Sequence, residues 1–140
     1  MLHLAKLAVG IKDIAQLREA QARRAAQEPP LRHHTRMIPR RVAELTDGGS
    51  IYWVIAGAML VRQRVLEVIE DRWDDGTRCA GLVLDPVLVP VEGRPTRPFQ
   101  GWRYLTPEDA PADLGGNGPA VGADGLPEEL RRQLQALCLL

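Results

Sequence analysis

The chain has 140 residues, enough for one domain with a sizeable buried core, and 45% of it is hydrophobic. Its 18 basic and 18 acidic side chains cancel, which excludes a whole-molecule field strong enough to capture nucleic acid. The balance is uneven along the chain: residues 1–31 hold five bases and three acids, residues 32–104 eleven and nine, and residues 105–140 two and six. The body is therefore mildly basic and the tail acidic. Only Lys6 and Lys12 are lysines, so the other sixteen of the 18 bases are arginine, whose planar fork matches phosphate and carboxylate. A chain this rich in Ala, Leu, Gly and Pro also points to codon bias, so only clustered arginines carry information.

Cys79 and Cys138 form no metal-ligand spacing and read as two free thiols in a reducing compartment. The longest apolar run, Ile51 to Val61, is too short for a membrane span. The apolar stretch around Lys6 and Lys12 is too short for a secretory signal. A cytoplasmic protein with no membrane partner is expected.

Leu2 to Val9 reads as a first strand. Asp13 caps a helix from Ile14, in which Ile14, Leu17 and Ala25 share a face that polar Gln21 interrupts. Pro29-Pro30 must end it. Leu31 to Met37 forms a second strand, and Pro39 suits the first turn of a short helix, Arg40 to Leu45, closed by Gly48-Gly49. Ile51 to Ala56 is apolar on both faces, as a central, doubly covered strand should be. Gly57 permits a turn or bulge before a long strand, Val61 to Ile69. Asp74-Asp75-Gly76 makes a hairpin turn into a buried strand, Arg78 to Leu84. Val87 to Val91 follows as an edge strand, because Pro90 lacks a ladder donor. Gly115 to Gly125 reads as a flexible linker, and Pro127 opens a terminal helix with a stripe of Leu126, Leu130, Leu134 and Leu137.

This order predicts an α+β fold: a small, strongly bent, mostly antiparallel sheet or partial β-barrel with flanking short helices and a C-terminal helix. It divides into one domain over 1–114, a Gly-rich linker over 115–125 and an amphipathic helix over 126–140. The terminal helix either docks on its own domain or takes a partner or a second copy.

The densest cluster is Arg32-His33-His34-Thr35-Arg36-Met37-Ile38-Pro39-Arg40-Arg41, with four arginines, two histidines and no acid. On a strand, Arg32, His34 and Arg36 share one face while His33 and Thr35 share the other. Pro39 places Arg40 and Arg41 at a helix start, whose free amides attract an anion. Arg62 and Arg64 share a face of the long strand, and Arg103 interleaves with Phe99, Trp102 and Tyr104. The candidate nucleic-acid or anion-binding set is thus Arg32, His34, Arg36, Arg40, Arg41, Arg62, Arg64 and Arg103. Tyr52, Trp102 and Tyr104 are candidate stacking platforms. The plainer alternatives are a solvated basic face and core roles for Trp53 and Trp102.

The adjacent histidines point to opposite faces with no Cys or carboxylate at ligand spacing, so no metal is assigned. There is no phosphate loop, dinucleotide fingerprint or paired carboxylate, and Ser50 lacks a nucleophile elbow. No cofactor and no catalytic residue follow. The leading reading is an RNA-binding module with an arginine-rich surface. One alternative is an enzyme acting on a small phosphorylated or nucleotide-like substrate, with His33 or His34 as acid–base residue. The other is a protein-interaction domain.

Thr35-Arg36-Met37-Ile38-Pro39-Arg40-Arg41, Gly48-Gly49-Ser50-Ile51-Tyr52-Trp53-Val54-Ile55 and Pro98-Phe99-Gln100-Gly101-Trp102-Arg103-Tyr104-Leu105 together resemble an alphaproteobacterial family. It is the domain of unknown function numbered 1489. Leu82-Val83-Leu84-Asp85-Pro86 and Thr106-Pro107-Glu108-Asp109-Ala110-Pro111 add to the likeness. It covers residues 1–114, leaving the rest as an added tail, and implies a bacterial cytoplasmic setting without an activity. The order of strands and short helices is similar to that of the PUA-like and ASCH domains. Those are small β-barrel domains, and the likeness implies binding of RNA or modified bases in a cleft beside the barrel.

Overall fold

The computed structural model describes residues 1–114. Their elements run β1 (His3–Leu7), α1 (Ile14–Gln27), β2 (Arg32–Thr35), α2 (Val42–Thr46), β3 (Ser50–Ile55), β4 (Ala58–Arg72), β5 (Arg78–Leu84), β6 (Val89–Pro95) and β7 (Trp102–Leu105). Strand β3 is buried along its whole length, as its two apolar faces require. Ile51, Trp53 and Ile55 face one core with Leu4, Val61, Val65, Leu82 and Leu84, covered by Ile14 and Leu17 of α1. Tyr52 and Val54 face a second core with Ala5, Met59, Val91 and Leu105, against which Phe99 and Ala110 pack.

The strands form one sheet in the order β2-β5-β4-β3-β1-β7, with β6 also paired to β4. Only β1 and β3 are parallel, with Leu4 opposite Ile51 and Leu7 opposite Val54. The chain reaches that parallel partner through α1, β2 and α2, as a crossover must. The other five pairings are antiparallel. Nothing pairs β2 with β7, so the sheet is open and the barrel alternative is not realised.

Strand β4 is longer than its apolar pattern predicts. It begins at Ala58 because Ala56 and Gly57, at φ 52° and 84°, make a two-residue turn between Ile55 and Ala58. Opposite β6 the extra residues lie on β6, between Pro90 and Arg94; in β4 itself, Leu60 is skipped opposite β3 and Leu66 opposite β5. Each bulge in β4 inserts one residue and reverses the side-chain alternation. This is why Met59 and Val61, two apart, belong to opposite cores.

Helix α1 starts and stops where the sequence places it. The Asp13 carboxylate accepts the Gln16 N–H at 2.7 Å, and the helix ends at Gln27 ahead of Pro29-Pro30. Trp53 has a core role, being 3% exposed, and Trp102 packs partly buried against the same core. After β7 the chain returns to β6, where Glu92 N–H donates to Ala112 and Leu114 N–H to Pro90. The linker and the leucine-striped helix proposed for 115–140 lie outside the described residues.

Gly49 marks a close approach. A Cβ there would overlap the carbonyl oxygens of both Leu2 and Leu45, so β1, α2 and β3 meet only because this side chain is missing. We predict that Gly49→Ala costs about 3 kcal/mol or more, through forced backbone shifts. Gly93→Ala meets only Leu60 Cδ2 at 3.6 Å and changes stability by less than about 1 kcal/mol. Urea unfolding of both variants measures the difference; equal midpoints would refute it.

Candidate functional site between the first helix and the basic strand

Strand β2 pairs with β5, Arg32 opposite Val83 and Thr35 opposite Ala80, so its side chains alternate as expected. Arg32 and His34 both reach Asp71, a β4 residue two strands away. Gly81 of β5 lies between them, and a Cβ on it would stand 3.0 Å from Asp71 Oδ2. The bare backbone lets the carboxylate lie across β5. Asp71 Oδ2 accepts from Arg32 Nε at 2.5 Å and from His34 Nε2 at 2.7 Å, and Oδ1 accepts the Arg72 N–H at 2.9 Å. Burial pushes the Asp71 carboxyl up, but the bonds from Arg72, His34 and Arg32 outweigh it and hold it below the usual carboxylate range. Arg32 also pairs with Glu28 at 3.6 Å and donates to the carbonyls of Glu28 and Pro30.

His33 points the other way, edge-on to Trp53 with ring centroids 5.1 Å apart. It lines a cavity of about 250 Å³ between α1, β1 and β2, walled by Leu17, Leu31, Trp53 and Leu84. Lys6, Gln21, Arg24 and Arg32 supply its polar rim. His33 Nε2 itself is buried with no hydrogen-bond partner. Burial first, then the charges of Lys6 and Arg24, lower its pKa to about 3, so the imidazole is neutral at physiological pH. Burial also lowers the Lys6 pKa.

The cavity edge is held by a pair of amides, buried Gln63 and half-buried Gln21. Gln63 and Gln21 exchange two hydrogen bonds of 2.8 Å; Gln63 Oε1 also accepts from Trp53 Nε1 at 3.1 Å, and Nε2 donates to the Asp85 carbonyl at 2.8 Å. A second pocket, about 280 Å³, opens beyond the end of α1 and is lined by Gln27, Glu28, His34, Trp73 and Asp74. The two pockets share Arg24 and Arg32.

The remaining predicted residues are dispersed. The amides of Arg40 and Arg41, expected to draw an anion, both donate to the Tyr104 hydroxyl, at 3.0 and 3.1 Å. Arg41 pairs with Glu44 and stands 5.7 Å above the Tyr104 ring. Trp102 Nε1 donates to the Met37 carbonyl at 3.2 Å and lies edge-on to Tyr104. Both aromatics therefore strap segment 36–41 to β7. Arg62 clasps Asp113 through two bonds of 2.7 and 2.8 Å and donates to Ser50 Oγ. Tyr52 is 4% exposed and packs edge-on to His3. Arg103 stacks on Phe99 at 4.4 Å. Arg36 and Arg64 are exposed and pair with no acid among the described residues. Of the eight candidates, Arg32 and His34 meet at one carboxylate, while Arg41 and Arg62 have their own.

Of the cavity residues, Lys6, Gln21 and Arg24 are missing from the sequence-derived candidates, and His33 is among them only as an acid–base alternative. Two signals pointed to them: Gln21 breaks an apolar helical stripe, and Gln63 occupies the buried face of β4 between Val61 and Val65.

The sequence matches the family described as "Protein of unknown function (DUF1489)" over residues 4–140. The chain belongs to this family. Because the match runs to residue 140, the segment after 114 is part of the family pattern and not an added tail. No curated protein and no solved structure matches the chain. Among the described residues no helix is long and apolar enough to cross a membrane, and no group of three or more His, Cys, Asp or Glu is placed to hold a metal ion.

The His33 environment predicts a pH dependence. Its folded pKa lies below the unfolded value, so between about pH 6.5 and 3 the unfolded state binds the extra proton and stability falls as pH falls. From pH 7 to pH 5 this amounts to about 2 kcal/mol. His33→Phe should remove that part of the loss, measured by urea unfolding at the two pH values. An equal loss in both proteins would refute the assignment.

Proposed function

We propose that this protein binds a small nucleotide-like anion in the cavity between α1 and β2. The observation that carries the reading is His33 Nε2, buried without a partner in the wall of a cavity that also presents Lys6 and Arg24. An orphaned polar atom is costly, and a ligand hydrogen bond relieves that cost. Apolar walls with a few convergent polar groups characterise small-molecule sites. Leu17, Leu31 and Leu84 suit a flat organic body, while Lys6 and Arg24 suit a phosphate or carboxylate. A histidine with a pKa near 3 is too weak a base for general-base work at neutral pH. It serves recognition here, and no catalytic residue is assigned.

An RNA-binding arginine surface is the second reading. The acids on Arg32, Arg41 and Arg62 weaken it, since a neutralised guanidinium releases few counterions. Exposed Arg36, Arg40 and Arg64 support it. An alphaproteobacterial, cytoplasmic setting and a PUA-like use of a side cleft belong to the same proposal. So does a partner role for residues 126–140.

The test is titration of the full chain with 5′-AMP and with ribose 5-phosphate at low salt, followed through the His33 ring resonances. Shifts at His33 are expected, with affinity falling about tenfold in Arg24→Ala, as for a partly exposed charge-assisted contact. Arg24 makes no side-chain hydrogen bond that the fold needs. Unmoved His33 signals at millimolar ligand, or an unchanged affinity in Arg24→Ala, would reject the site. RNA binding with a steep salt slope that Arg36→Ala, Arg40→Ala and Arg64→Ala together flatten would favour the second reading.

A further inference from the structure

Trp73 is the one tryptophan of three left open, at 40% exposed against 3% for Trp53, and unlike Trp102 it donates no indole hydrogen bond to the described chain. It lines the second pocket, which adjoins the His33 cavity at Arg24 and Arg32. We infer that this cleft takes two nucleotide units joined by a phosphate, one in the His33 cavity and the second stacked on Trp73. The inference rests on the nucleotide-like reading of the first cavity.

The platform is built, not merely exposed. Trp73 N–H donates to the Thr77 carbonyl and its own carbonyl accepts the Gly76 N–H, both at 2.9 Å. Asp75 Oδ1 accepts from the Thr77 amide at 2.9 Å and its hydroxyl at 2.6 Å, closing the same turn. The indole packs against the His34 ring at a steep angle, with centroids 5.6 Å apart. His34 is in turn fixed on Asp71, which also fixes Arg32. A rigid aromatic with its remaining surface open to a polar pocket is what base stacking requires.

The charges sort the parts of the ligand. Arg24 lines both pockets and pairs with no acid among the described residues, so the linking phosphate belongs there. Lys6 lies only on the first side. Glu28 and Asp74 lie only on the second, where they repel a further phosphate and suit sugar hydroxyls as hydrogen-bond donors. The second unit therefore presents its sugar and base, not a second anion. Two adjacent nucleotides of an RNA and a free dinucleotide share this chemistry.

Calorimetric titration of the full chain with 5′-AMP, adenylyl-(3′,5′)-adenosine and a ten-residue oligoadenylate tests it. The dinucleotide should bind about tenfold tighter than 5′-AMP, the gain of one stacked base. Trp73→Ala should abolish that gain while leaving 5′-AMP affinity as in the wild type, and Trp73→Phe should keep most of it. Circular dichroism checks that the turn variants fold. If the dinucleotide binds no tighter than 5′-AMP, or Trp73→Ala loses nothing, the two-unit site is overturned while binding at His33 stands. If neither ligand binds, the first cavity's reading falls as well. An oligoadenylate that outbinds the dinucleotide with a steeper salt slope supports the site and assigns it to an RNA segment; equal affinity supports it and assigns a free dinucleotide.

Discussion

A fully buried primary amide must fill all its hydrogen-bonding capacity or destabilise the fold by about 1–3 kcal/mol for each group left unmet. Gln63 has no exposed surface, and its four bonds tie together α1 through Gln21, β3 through Trp53 and the break between β5 and β6 through Asp85. The rest of the domain is arranged around that demand. β4 must turn this side chain to the helical face, and the bulge at Leu60 sets that face. Helix α1 is held there by Ile14 and Leu17 in the core and, where Gln21 interrupts the apolar stripe, by the amide pair. A helix so held does not close down on the sheet along its whole length, and the cavity lies beside the Gln21 contact.

The same economy of contacts governs the charges. A run of four arginines and two histidines would repel itself if left unpaired, yet the fold disperses it. Asp71 reaches across Gly81 to hold Arg32 and His34, Glu44 takes Arg41, and the Tyr104 hydroxyl takes the amides at the start of α2. What remains cationic is different from what the run suggested. Lys6 and Arg24, from β1 and α1, approach His33 closely enough to depress its basicity. In the reading proposed above, Lys6 and Arg24 supply the anion contact, while Arg36 and Arg40 of the basic run stay exposed and unpaired among the described residues.

This division also separates rigid from adaptable parts of the cleft. Arg32 and His34 are held by Asp71 and the Trp73 backbone by the hairpin turn, so in the proposed reading Arg32 and His34 lose little freedom on binding. Arg24 is exposed on the helix and free to adjust. In the proposed reading the aromatic and histidine walls recognise the ligand's rings by shape, and Arg24 with Lys6 captures its phosphate by charge.

By itself the sequence determined most of the elements and the alternation within β2 and β3, but not the strand at Trp102–Leu105 or the full reach of β4. Asp13 and Pro29-Pro30 bounded α1, the two-faced apolar run placed β3 at the centre, and period-two geometry put Arg32 and His34 opposite His33. These are local consequences of capping, steric restriction and strand pleat, and they need no partner. Tertiary structure alone decided which charges meet. Asp71 is 39 residues from Arg32, Asp113 is 51 from Arg62, and Tyr104 is 64 from Arg40. Pairing across such separations depends on strand order and on two bulges in β4, and neither is written in a local pattern. An unpaired arginine and a neutralised one look alike in sequence, which is why the basic run was legible and the cavity behind it was not.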